Sequence, residues 1–257
     1  MLLFFRENRE ELTFVLIGAL GSGKSSTGNS ILGGKPFKVM TGTMPVTKTV
    51  EKQSADRKDR KITVVDTPGL ENVHSFTSIK HGIDDILLRN KPTNIIYLIT
   101  IKIGRYTKEE RDILDHIFKT QGSRMKNAII IFTNRSELMG DDTANQSVDA
   151  WIKNNRTILR LKNDNKLKYY AFENKRSTEE DKDVQVKELI DIVDQVDKKD
   201  DSICDVSEHM NMENKRYVDE QTLGKKFGDW VCIFRGTKSI TKEKHVKQHN
   251  ICGFFLS

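Results

Sequence analysis

The sequence has little cysteine, and the few cysteines lie in its last quarter. Of 257 residues only Cys204, Cys232 and Cys252 are cysteines. Their odd number and their lack of a paired metal-ligand spacing argue against a disulfide framework and favour a reducing compartment. We therefore expect a cytoplasmic protein.

Long apolar segments are also lacking. The opening residues, MLLFF, are followed at once by Arg6 and Glu7, which leaves too short an apolar stretch for a signal peptide. No apolar run approaches the length of a membrane span, and no repeat or low-complexity tract is present. With 36% hydrophobic and 31% charged residues, the chain suits one α/β domain of ordinary size plus an extension.

Most of the chain has no excess of charge, although the formal net charge is +6. From residue 224 onwards there are seven lysines and arginines against two acidic residues, which places five of the six net positive charges there. The body is therefore nearly neutral, and we expect no nucleic-acid binding. The basic tail ends in Phe254-Phe255-Leu256, and it suits either contact with an anionic membrane surface or packing on the domain.

Buried-type strands alternate with helical patterns along residues 11–198. We predict strands at 12–17, near 46–53, and at 61–66, 94–101, 127–133 and 167–172, with helices between them. One of these helices is predicted around Trp151 to Leu161, and a charged hairpin turn is predicted at 56–61. The pattern predicts a doubly wound, mostly parallel six-stranded sheet with helices on both faces and a ligand at the carboxyl ends of its strands. Residues 1–10 and 199–257 are predicted to be extensions, the second basic and partly helical or disordered.

The first strand leads into a P-loop, the stretch FVLIGALGSGKSS from Phe14 to Ser26. Gly18, Gly23, Lys24 and Ser25 have the GxxxxGK[ST] spacing, with a strand before it and a helix after it. In this motif the backbone N–H groups surround the β-phosphate, the lysine lies between the β- and γ-phosphates, and the serine binds Mg²⁺. The predicted phosphate-binding residues are Gly18, Ala19, Leu20, Gly21, Ser22, Gly23, Lys24, Ser25 and Ser26.

The motif DTPG at Asp66 to Gly69 narrows the prediction to a nucleotide switch. It ends an apolar strand, where the Asp66 carboxylate can hold a water of Mg²⁺ and the Gly69 N–H can bond the γ-phosphate until hydrolysis. A second hydroxyl ligand for Mg²⁺ is expected from the loop after the first helix. Spacing does not choose among the threonines there, Thr41, Thr43, Thr47 and Thr49.

Base recognition is predicted after the fifth strand, in the run from Thr133 to Glu137. Asn134, Arg135 and Glu137 resemble the NKxD signature of GTPases, with arginine for lysine and glutamate for aspartate. A carboxylate there can accept hydrogen bonds from N1–H and the 2-amino group of guanine, a donor pair that adenine lacks. Arg135 can stack on the base, and Asn174, just past the last strand, offers a further contact.

Together these ordered motifs resemble the immunity-associated nucleotide-binding GTPases, the GIMAP family, which is related to septins and chloroplast-import GTPases. The resemblance covers about residues 10 to 197, and the runs that carry it are GALGSGKSSTGNSILG, PVTKTV, DTPGL, IGRYTKEERDIL, IIIFTNRSEL and YYAFENK. It implies a P-loop NTPase G domain that binds GTP or GDP with Mg²⁺, with Ser25, Thr47 and Asp66 at the metal. It also implies that Thr47 is the switch threonine and that residues 103–111 form the distinctive box of the family.

Members commonly have TRKED where this chain has TNRSE at residues 133–137, so the base pocket departs from the family pattern. The resemblance further implies slow hydrolysis and dimers through the nucleotide face, with related GTPases as homo- or hetero-dimer partners. Some members are anchored to a membrane by a C-terminal segment, so a peripheral position at an intracellular membrane is a second expectation for the localisation.

The expected mechanism turns on Leu70 and Arg105. Leu70 stands where Ras-like enzymes have the glutamine that orients the attacking water, so rapid intrinsic hydrolysis is not expected. Arg105, on a loop after the fourth strand, is the leading candidate for a group that reaches a partner's γ-phosphate, against the alternative of a solvated arginine at a helix entry. His74 and Ser75 are weaker candidates for contact with the water.

Three hypotheses follow. The first is a slow GTPase switch and scaffold that dimerises in its GTP state, with Lys24, Thr47, Gly69 and Arg105 in catalytic roles. The second is a nucleotide-binding module without significant turnover, which the leucine at position 70 and the altered base motif favour. The third, an ATP-using P-loop enzyme, has no support downstream of the P-loop.

Overall fold

The computed structural model describes residues 11–39, 47–72, 74–138 and 147–197. The predicted extensions at 1–10 and 199–257 therefore lie outside the described residues, as do Thr41 and Thr43. Within the described ranges, no helix combines the length and the apolar character needed to cross a bilayer.

Strands and helices alternate over the described part of the chain. The strands are β1 (Leu12–Gly18), β2 (Glu51–Arg57), β3 (Arg60–Asp66), β4 (Asn94–Lys102), β5 (Ile129–Thr133) and β6 (Lys168–Phe172). The helices are α1 (Lys24–Leu32), α2 (Ser75–Asn90), α3 (Lys108–Thr120), α4 (Val148–Asn154), α5 (Arg156–Asp164) and α6 (Glu179–Asp197), with a short 3-10 helix at Arg135–Leu138.

The strands form one sheet in the order β2-β3-β1-β4-β5-β6. Only the β2–β3 pair is antiparallel among the strand pairs of the described residues. The central strand β1 is buried along its whole length, and its Phe14 lies opposite Val64 of β3 and Ile96 of β4. A strand with neighbours on both sides and helices on both faces needs a continuous apolar run, which is what the sequence has there. The predicted fold is confirmed.

Alternate residues of the strands face opposite sides of the sheet, and helices cover both sides. On one side Phe14 and Leu16 belong to a buried cluster with Ile31 of α1 and Leu189 of α6. On the other side Phe132 of β5 meets Trp151 of α4 edge to face, with ring centroids 5.4 Å apart. Helices therefore cover both faces of the sheet. The carboxyl ends of the parallel strands lie together at one edge of it.

Strand β2 begins later than the sequence predicts, at Glu51 instead of near residue 46. Its residues are mostly polar and exposed because β2 is an edge strand, so the apolar pattern that locates a buried strand is weak there. The predicted hairpin turn is confirmed, since Lys58 and Asp59 have φ of 52° and 62° and Arg57 pairs with Arg60. Such a two-residue turn fixes the register of the hairpin.

The single helix predicted around Trp151 to Leu161 is wrong, because Asn155 separates two short helices. Asn155 has φ of −100° and ψ of 89°, and its side chain accepts a hydrogen bond from the N–H of Ile158, at the start of α5. An asparagine that caps a helix in this way competes with helix continuation. The helix α3 begins with a capping box, in which the Thr107 side chain and the Glu110 side chain each bond the backbone N–H of the other residue.

Candidate functional site

A cavity of about 320 Å³ lies at the carboxyl ends of the parallel strands, and we call it the strand-end cavity. The P-loop, the DTPG segment and the loops after β4, β5 and β6 all contribute to it. Its lining includes Leu20, Gly21, Gly23, Lys24, Ser25, Ser26, Thr47, Thr67, Gly69, Lys102, Arg105, Thr133, Asn134, Glu173, Asn174 and Lys175. This is the edge at which open α/β sheets bind their ligands.

The P-loop needs glycine at two positions because of its backbone conformation. Gly21 and Gly23 have φ of 75° and 95°, in the left-handed region that side chains disfavour. A Cβ atom on Gly23 would also lie 3.1 Å from Cγ2 of Thr133. The turn is closed by the Ser22 N–H, which donates to the Ala19 carbonyl at 3.2 Å. Sequence and backbone therefore agree on a tight loop before α1.

Two threonines near the carboxyl ends of neighbouring strands support the P-loop through contacts with Ser22. Thr133 of β5 donates its hydroxyl to the Ser22 carbonyl at 2.7 Å. The hydroxyls of Ser22 and Thr100, on β4, lie 2.6 Å apart, and all three residues are buried. Sequence reasoning missed this support. The only signal in the sequence was a threonine near the end of each of two apolar strands. The residue type alone does not indicate that these threonines contact the P-loop.

Lys24 lies folded against the loop that precedes it. Its ammonium donates to the carbonyl oxygens of Gly18 at 2.9 Å and Ala19 at 2.8 Å, and the residue is only 6% exposed. Burial lowers the pKa of Lys24 to about 8, against the opposing attraction of Asp66 and Glu110. A buried cation in a loop with left-handed glycines, just before the N-terminus of a helix, is a strong site for an anion.

The predicted metal-binding residues are brought together around Asp66. Ser25 donates its hydroxyl to Asp66 Oδ2 at 2.6 Å, and the Thr47 hydroxyl lies 3.3 Å both from this carboxylate oxygen and from the Ser25 hydroxyl. Of the two candidate threonines that the structure describes, Thr47 is therefore at the site, whereas Thr49 is exposed. The structure thus places the threonine that the family resemblance implies beside Ser25 and Asp66.

These oxygens suit a magnesium ion. Asp66 is 1% exposed, and its Oδ1 atom is buried without a hydrogen-bond partner among the described residues. Burial raises the pKa of Asp66, while the hydrogen bond from Ser25 and the charge of Lys24 oppose that rise. An all-oxygen set with one carboxylate fits Mg²⁺, which keeps several waters and shares its remaining positions with phosphates. A cation there would satisfy the unpaired oxygen and favour the charged carboxylate.

The DTPG segment is joined closely to the P-loop. A Cβ atom on Gly69 would lie 2.7 Å from Cα of Leu20, so only glycine fits this contact. The Leu70 N–H donates to the Gly18 carbonyl at 3.0 Å. The Leu70 side chain is 3% exposed and lines a separate narrow space with Ile113 and Leu114 of α3. It therefore lies in an apolar setting and offers no group to a water at the strand-end cavity.

Arg105 lies at the rim of the strand-end cavity, above the tip of the P-loop. It follows Gly104, which has φ of 81°, and it is exposed. A guanidinium nitrogen of Arg105 lies 3.8 Å from the position that a Cβ on Gly21 would occupy. The residue is thus available both to its own loop and to a second molecule placed over the cavity.

His74 and Ser75, the weaker candidates, lie in a turn whose polar groups mostly form hydrogen bonds with one another. The Ser75 hydroxyl accepts hydrogen bonds from the N–H groups of Glu71 and Asn72, both at 3.2 Å, and donates to the Asn72 carbonyl at 2.6 Å. His74 is exposed. Neither residue is among the lining residues of the strand-end cavity.

The predicted base-binding residues lie on two loops at the far side of the cavity. Asn134 lines it, with φ of 66°, and Arg135 and Glu137 follow on the short 3-10 helix, where both are exposed. The Glu137 carboxylate makes no hydrogen bond or ion pair with another described residue, so its oxygens are open to an incoming group. Asn174 also lines the cavity, but its side chain is already engaged. It donates to the hydroxyl of Thr27 and accepts from that of Ser30, each at 3.0 Å.

Glu173 joins these two loops, and sequence reasoning missed it. Its carboxylate accepts hydrogen bonds from the N–H groups of Ser136 at 2.8 Å, Lys175 at 2.9 Å and Arg176 at 3.2 Å. Partial burial opposes ionisation, but these N–H donors outweigh it and lower the pKa of Glu173. Glu173 is therefore charged at neutral pH and holds the loop after β5 to the loop after β6. We call this contact the Glu173 latch.

Most of the chain matches one known protein family. Residues 12–248 match the AIG1 family. Among curated proteins, human GTPase IMAP family member 8 is 31% identical over 181 residues, which cover 70% of this chain and 27% of that protein. Immune-associated nucleotide-binding protein 9 from Arabidopsis thaliana is 32% identical over 199 residues, which cover 75% of this chain and 57% of that protein. The chain thus spans about a quarter to three fifths of the length of these relatives.

Solved structures show the same fold at lower identity. Toc33 from Arabidopsis thaliana in complex with GDP and Mg²⁺ superimposes with a TM-score of 0.56 at 18% identity, covering 76% of this chain and 86% of that one. A dimerization-deficient mutant of Toc33 gives a TM-score of 0.56 at 19% identity, covering 73% of this chain and 84% of that one. At this identity the likeness supports the G-domain fold and nothing finer.

Proposed function

The chain belongs to the AIG1 family, and on that premise we propose that it is a GTP-binding protein with slow GTP hydrolysis. It acts as a nucleotide-dependent switch and scaffold that dimerises through its nucleotide face. The observation that carries this proposal is the strand-end cavity, which brings the P-loop, the cluster around Asp66 and the two loops joined by the Glu173 latch to one edge of the sheet. Each of these parts suits a different part of a guanine nucleotide.

The P-loop and Lys24 would hold the phosphates. Backbone N–H groups of a loop with left-handed glycines point inward and bind anions, and the dipole of α1 adds to their field. Lys24 would exchange two carbonyl partners for phosphate oxygens, which are stronger acceptors for an ammonium group. The result is tight binding of the β-phosphate with little rearrangement of the backbone.

Ser25, Thr47 and Asp66 would hold Mg²⁺, which neutralises charge on the β- and γ-phosphate oxygens when it is bound. The Thr47 hydroxyl already lies within 3.3 Å of Asp66 Oδ2, so the loop that bears it is linked to the phosphate end of the cavity. Gly69 offers its N–H on the other side. These two segments can therefore respond to the presence of a γ-phosphate, which is the basis of a switch.

The base would lie between the loops after β5 and β6. We propose that Glu137 accepts the N1–H and 2-amino donors of guanine, that Asn134 and Arg135 contact the ring, and that Asn174 positions the second loop through its bonds to α1. Glu137→Gln would test this assignment because an amide supplies one donor where guanine needs an acceptor. We expect this variant to bind GDP about tenfold more weakly than the wild type does. Its affinity for xanthosine diphosphate, which has a C2 carbonyl, should rise relative to its affinity for GDP.

The setting of Leu70 supports slow hydrolysis. Its buried apolar side chain cannot orient a water at the strand-end cavity. We propose that Arg105 of a second molecule supplies the missing charge at the γ-phosphate. For the chloroplast translocon components atToc33 and psToc159, dimerization is important for the GTPase activity, which supports the proposal for this chain.

Arg105→Ala tests the role of Arg105. Hydrolysis should fall at concentrations where the protein dimerises, while GDP affinity stays within about twofold, because the arginine acts on the γ-phosphate region. Lys108→Ala, at an exposed residue in the first turn of α3, is a matched control. Unchanged hydrolysis in Arg105→Ala under dimer-forming conditions would remove the residue from the mechanism.

The partners proposed are a guanine nucleotide and a second related GTPase, either the same chain or another. We also propose a cytoplasmic location, with the basic C-terminal segment in contact with an intracellular membrane surface. The surplus of lysine and arginine after residue 224 supports the membrane contact through its attraction to anionic lipids. Sedimentation with vesicles that contain anionic lipid, compared with neutral vesicles, tests it.

A nucleotide-binding module without significant turnover is the second candidate, and the buried Leu70 favours it. Multiple-turnover release of phosphate from GTP distinguishes the two functions, with Lys24→Ala as the control for contaminating activity. Slow release that exceeds one phosphate per protein and disappears in Lys24→Ala supports the GTPase. Binding of GTP with no release beyond the Lys24→Ala background supports the module instead.

A further inference from the structure

Strand β2 forms an edge of the sheet, and no described strand pairs with its outer side. Arg57 and Arg60 flank the two-residue turn at Lys58 and Asp59 and lie opposite each other. They form the closing hydrogen-bonded pair of the hairpin, and such pairs recur at every second residue of an antiparallel ladder. The odd-numbered residues of β2 therefore direct their backbone N–H and C=O groups towards β3.

The even-numbered residues of β2 direct their backbone groups to the outer side. These residues are Lys52, Ser54 and Asp56, and all three are exposed. An edge strand of this kind is a template for another strand unless it is blocked. The outward-directed residues are spaced evenly about Ser54, so a second copy of β2 can pair with the first across a two-fold axis at that residue.

The side chains of β2 are self-complementary in this arrangement. With Ser54 opposite Ser54 of the second copy, Lys52 faces Asp56 of the other strand and Glu51 faces Arg57. Each charged residue of the strand thus meets a residue of opposite charge in the second copy. The two members of each pair lie on the same face of the extended sheet. We propose that β2 is an interface between two copies of this chain, which join their sheets edge to edge in antiparallel fashion.

Contacts within the chain leave the required groups in place. Lys52 bonds the side-chain oxygen of Asn90, and Arg57 bonds Asp183 of α6, which orders both cations at the edge. The two acidic residues of the proposed pairs have no hydrogen-bond or ion-pair partner among the described residues. Each pair therefore joins a positioned cation to a free carboxylate of the second copy, a form of charge-assisted contact.

The charges also select the register. A shift that keeps outward-directed groups opposite each other moves the strands by two residues. In one direction it places Lys52 opposite Lys58 of the second copy, which is repulsive, and in the other it places Asp56 opposite Val50. Both shifts break the charge pairing and shorten the ladder. Only the arrangement centred on Ser54 joins all outward groups of the three residues, in about six hydrogen bonds.

This interface does not involve the strand-end cavity, so it is independent of the proposed nucleotide function. An interface of one short strand is small, and we expect a weak dimer that forms at high protein concentration. It would be present with GDP and would persist if the protein bound no nucleotide. Combined with a dimer through the nucleotide face, it would extend pairs of molecules into longer assemblies.

Ser54→Pro tests the proposed ladder in the GDP-loaded full chain by sedimentation velocity over a wide range of concentrations. Proline removes an outward N–H that β3 does not use, so the hairpin is retained. Ser54→Ala is the matched control, because both variants lose the hydroxyl contact of 2.8 Å with Thr63. We expect dimers for the wild type and Ser54→Ala, and a dissociation constant at least about tenfold higher for Ser54→Pro.

Charge reversal provides a second test that does not depend on proline. Lys52→Asp and Asp56→Lys should each abolish self-association, because like charges then face each other in both pairs. A mixture of the two variants should form a hetero-dimer, since each reversed residue meets its opposite. Monomeric wild type at the highest concentration, equal association of the proline and alanine variants, or no association in the mixture would overturn the proposal.

Discussion

The strand-end cavity has a proposed phosphate end, at the P-loop and Asp66, and a proposed base end, between the loops after β5 and β6, and the two ends are held in place by different means. At the phosphate end, one continuous segment from β1 through the P-loop to α1 supplies the proposed binding groups, and buried threonines of β4 and β5 support it. At the base end, two loops from distant parts of the sequence meet, and the Glu173 latch joins them. The binding groups of the first end therefore come from one local segment, which two threonines support, whereas the second end depends on one carboxylate that joins two distant loops.

The largest expected effect is at the phosphate end. Lys24→Ala should weaken GDP and GTP binding by at least about 100-fold, because it removes a buried cation from the phosphates. Calorimetric titration in millimolar Mg²⁺ measures it. Lys168→Ala, at an exposed lysine of β6, should bind like the wild type. A loss of less than tenfold in Lys24→Ala would remove the contrast between the two ends.

Glu173→Gln should affect the base end alone. The substitution replaces one carboxylate oxygen with an NH₂ group, which cannot accept a hydrogen bond from the backbone N–H groups of the two loops. The loops therefore separate, and GDP binds about tenfold more weakly. Pyrophosphate, which has no base, should bind within about twofold of the wild type. Glu180→Gln, in the exposed first turn of α6, is the control. Equal losses for GDP and pyrophosphate would mean that the two ends are not separable.

Thr133→Val sharpens the comparison from the opposite side. It keeps the shape of the side chain but removes the hydroxyl that donates to Ser22, and it leaves that buried carbonyl without its partner. We expect a loss of about 1–3 kcal/mol in the free energy of unfolding and a severalfold loss in binding of both GDP and pyrophosphate. Thr120→Val on the exposed surface of α3 should change neither. Denaturant unfolding and titration test this, and a selective effect on GDP would contradict it.

The smallest expected effect is a pH dependence at the base end. Because the folded protein lowers the pKa of Glu173 below its ordinary value of 4.5, the latch adds stability above that pH and loses it as the pH falls through the lowered value. The unfolding free energy of the wild type relative to Glu173→Gln should therefore be constant near neutrality and shrink below about pH 4.5. A difference that instead grows on acidification would have the wrong sign.

The contrast between the two ends also governs what can be predicted from the sequence. The P-loop is predicted residue by residue because spacing, glycine and lysine together specify one local structure. Thr47 needs the family resemblance, because four threonines share its segment. The Glu173 latch is missed since its partner Ser136 lies 37 residues away in sequence, and no local pattern links a glutamate after one strand to an N–H after another.

The same reasoning explains the errors in the fold. Strongly apolar strands such as β1 and β4 are predicted within a residue of their ends. The start of β2 is predicted too early because an exposed edge strand has little apolar pattern. The split between α4 and α5 is missed because the cap at Asn155 interrupts a pattern of apolar residues that continues across it. Burial fixes the core elements, whereas side-chain hydrogen bonds decide these boundaries.

The most direct test of the central claim is a nucleotide competition titration of the purified chain in millimolar Mg²⁺. If the P-loop holds the phosphates and the latched loops hold a guanine, GDP and GTP should bind, and ADP and ATP should bind at least about 100-fold more weakly. No affinity for either guanine nucleotide, or equal affinity for the adenine nucleotides, would contradict the account.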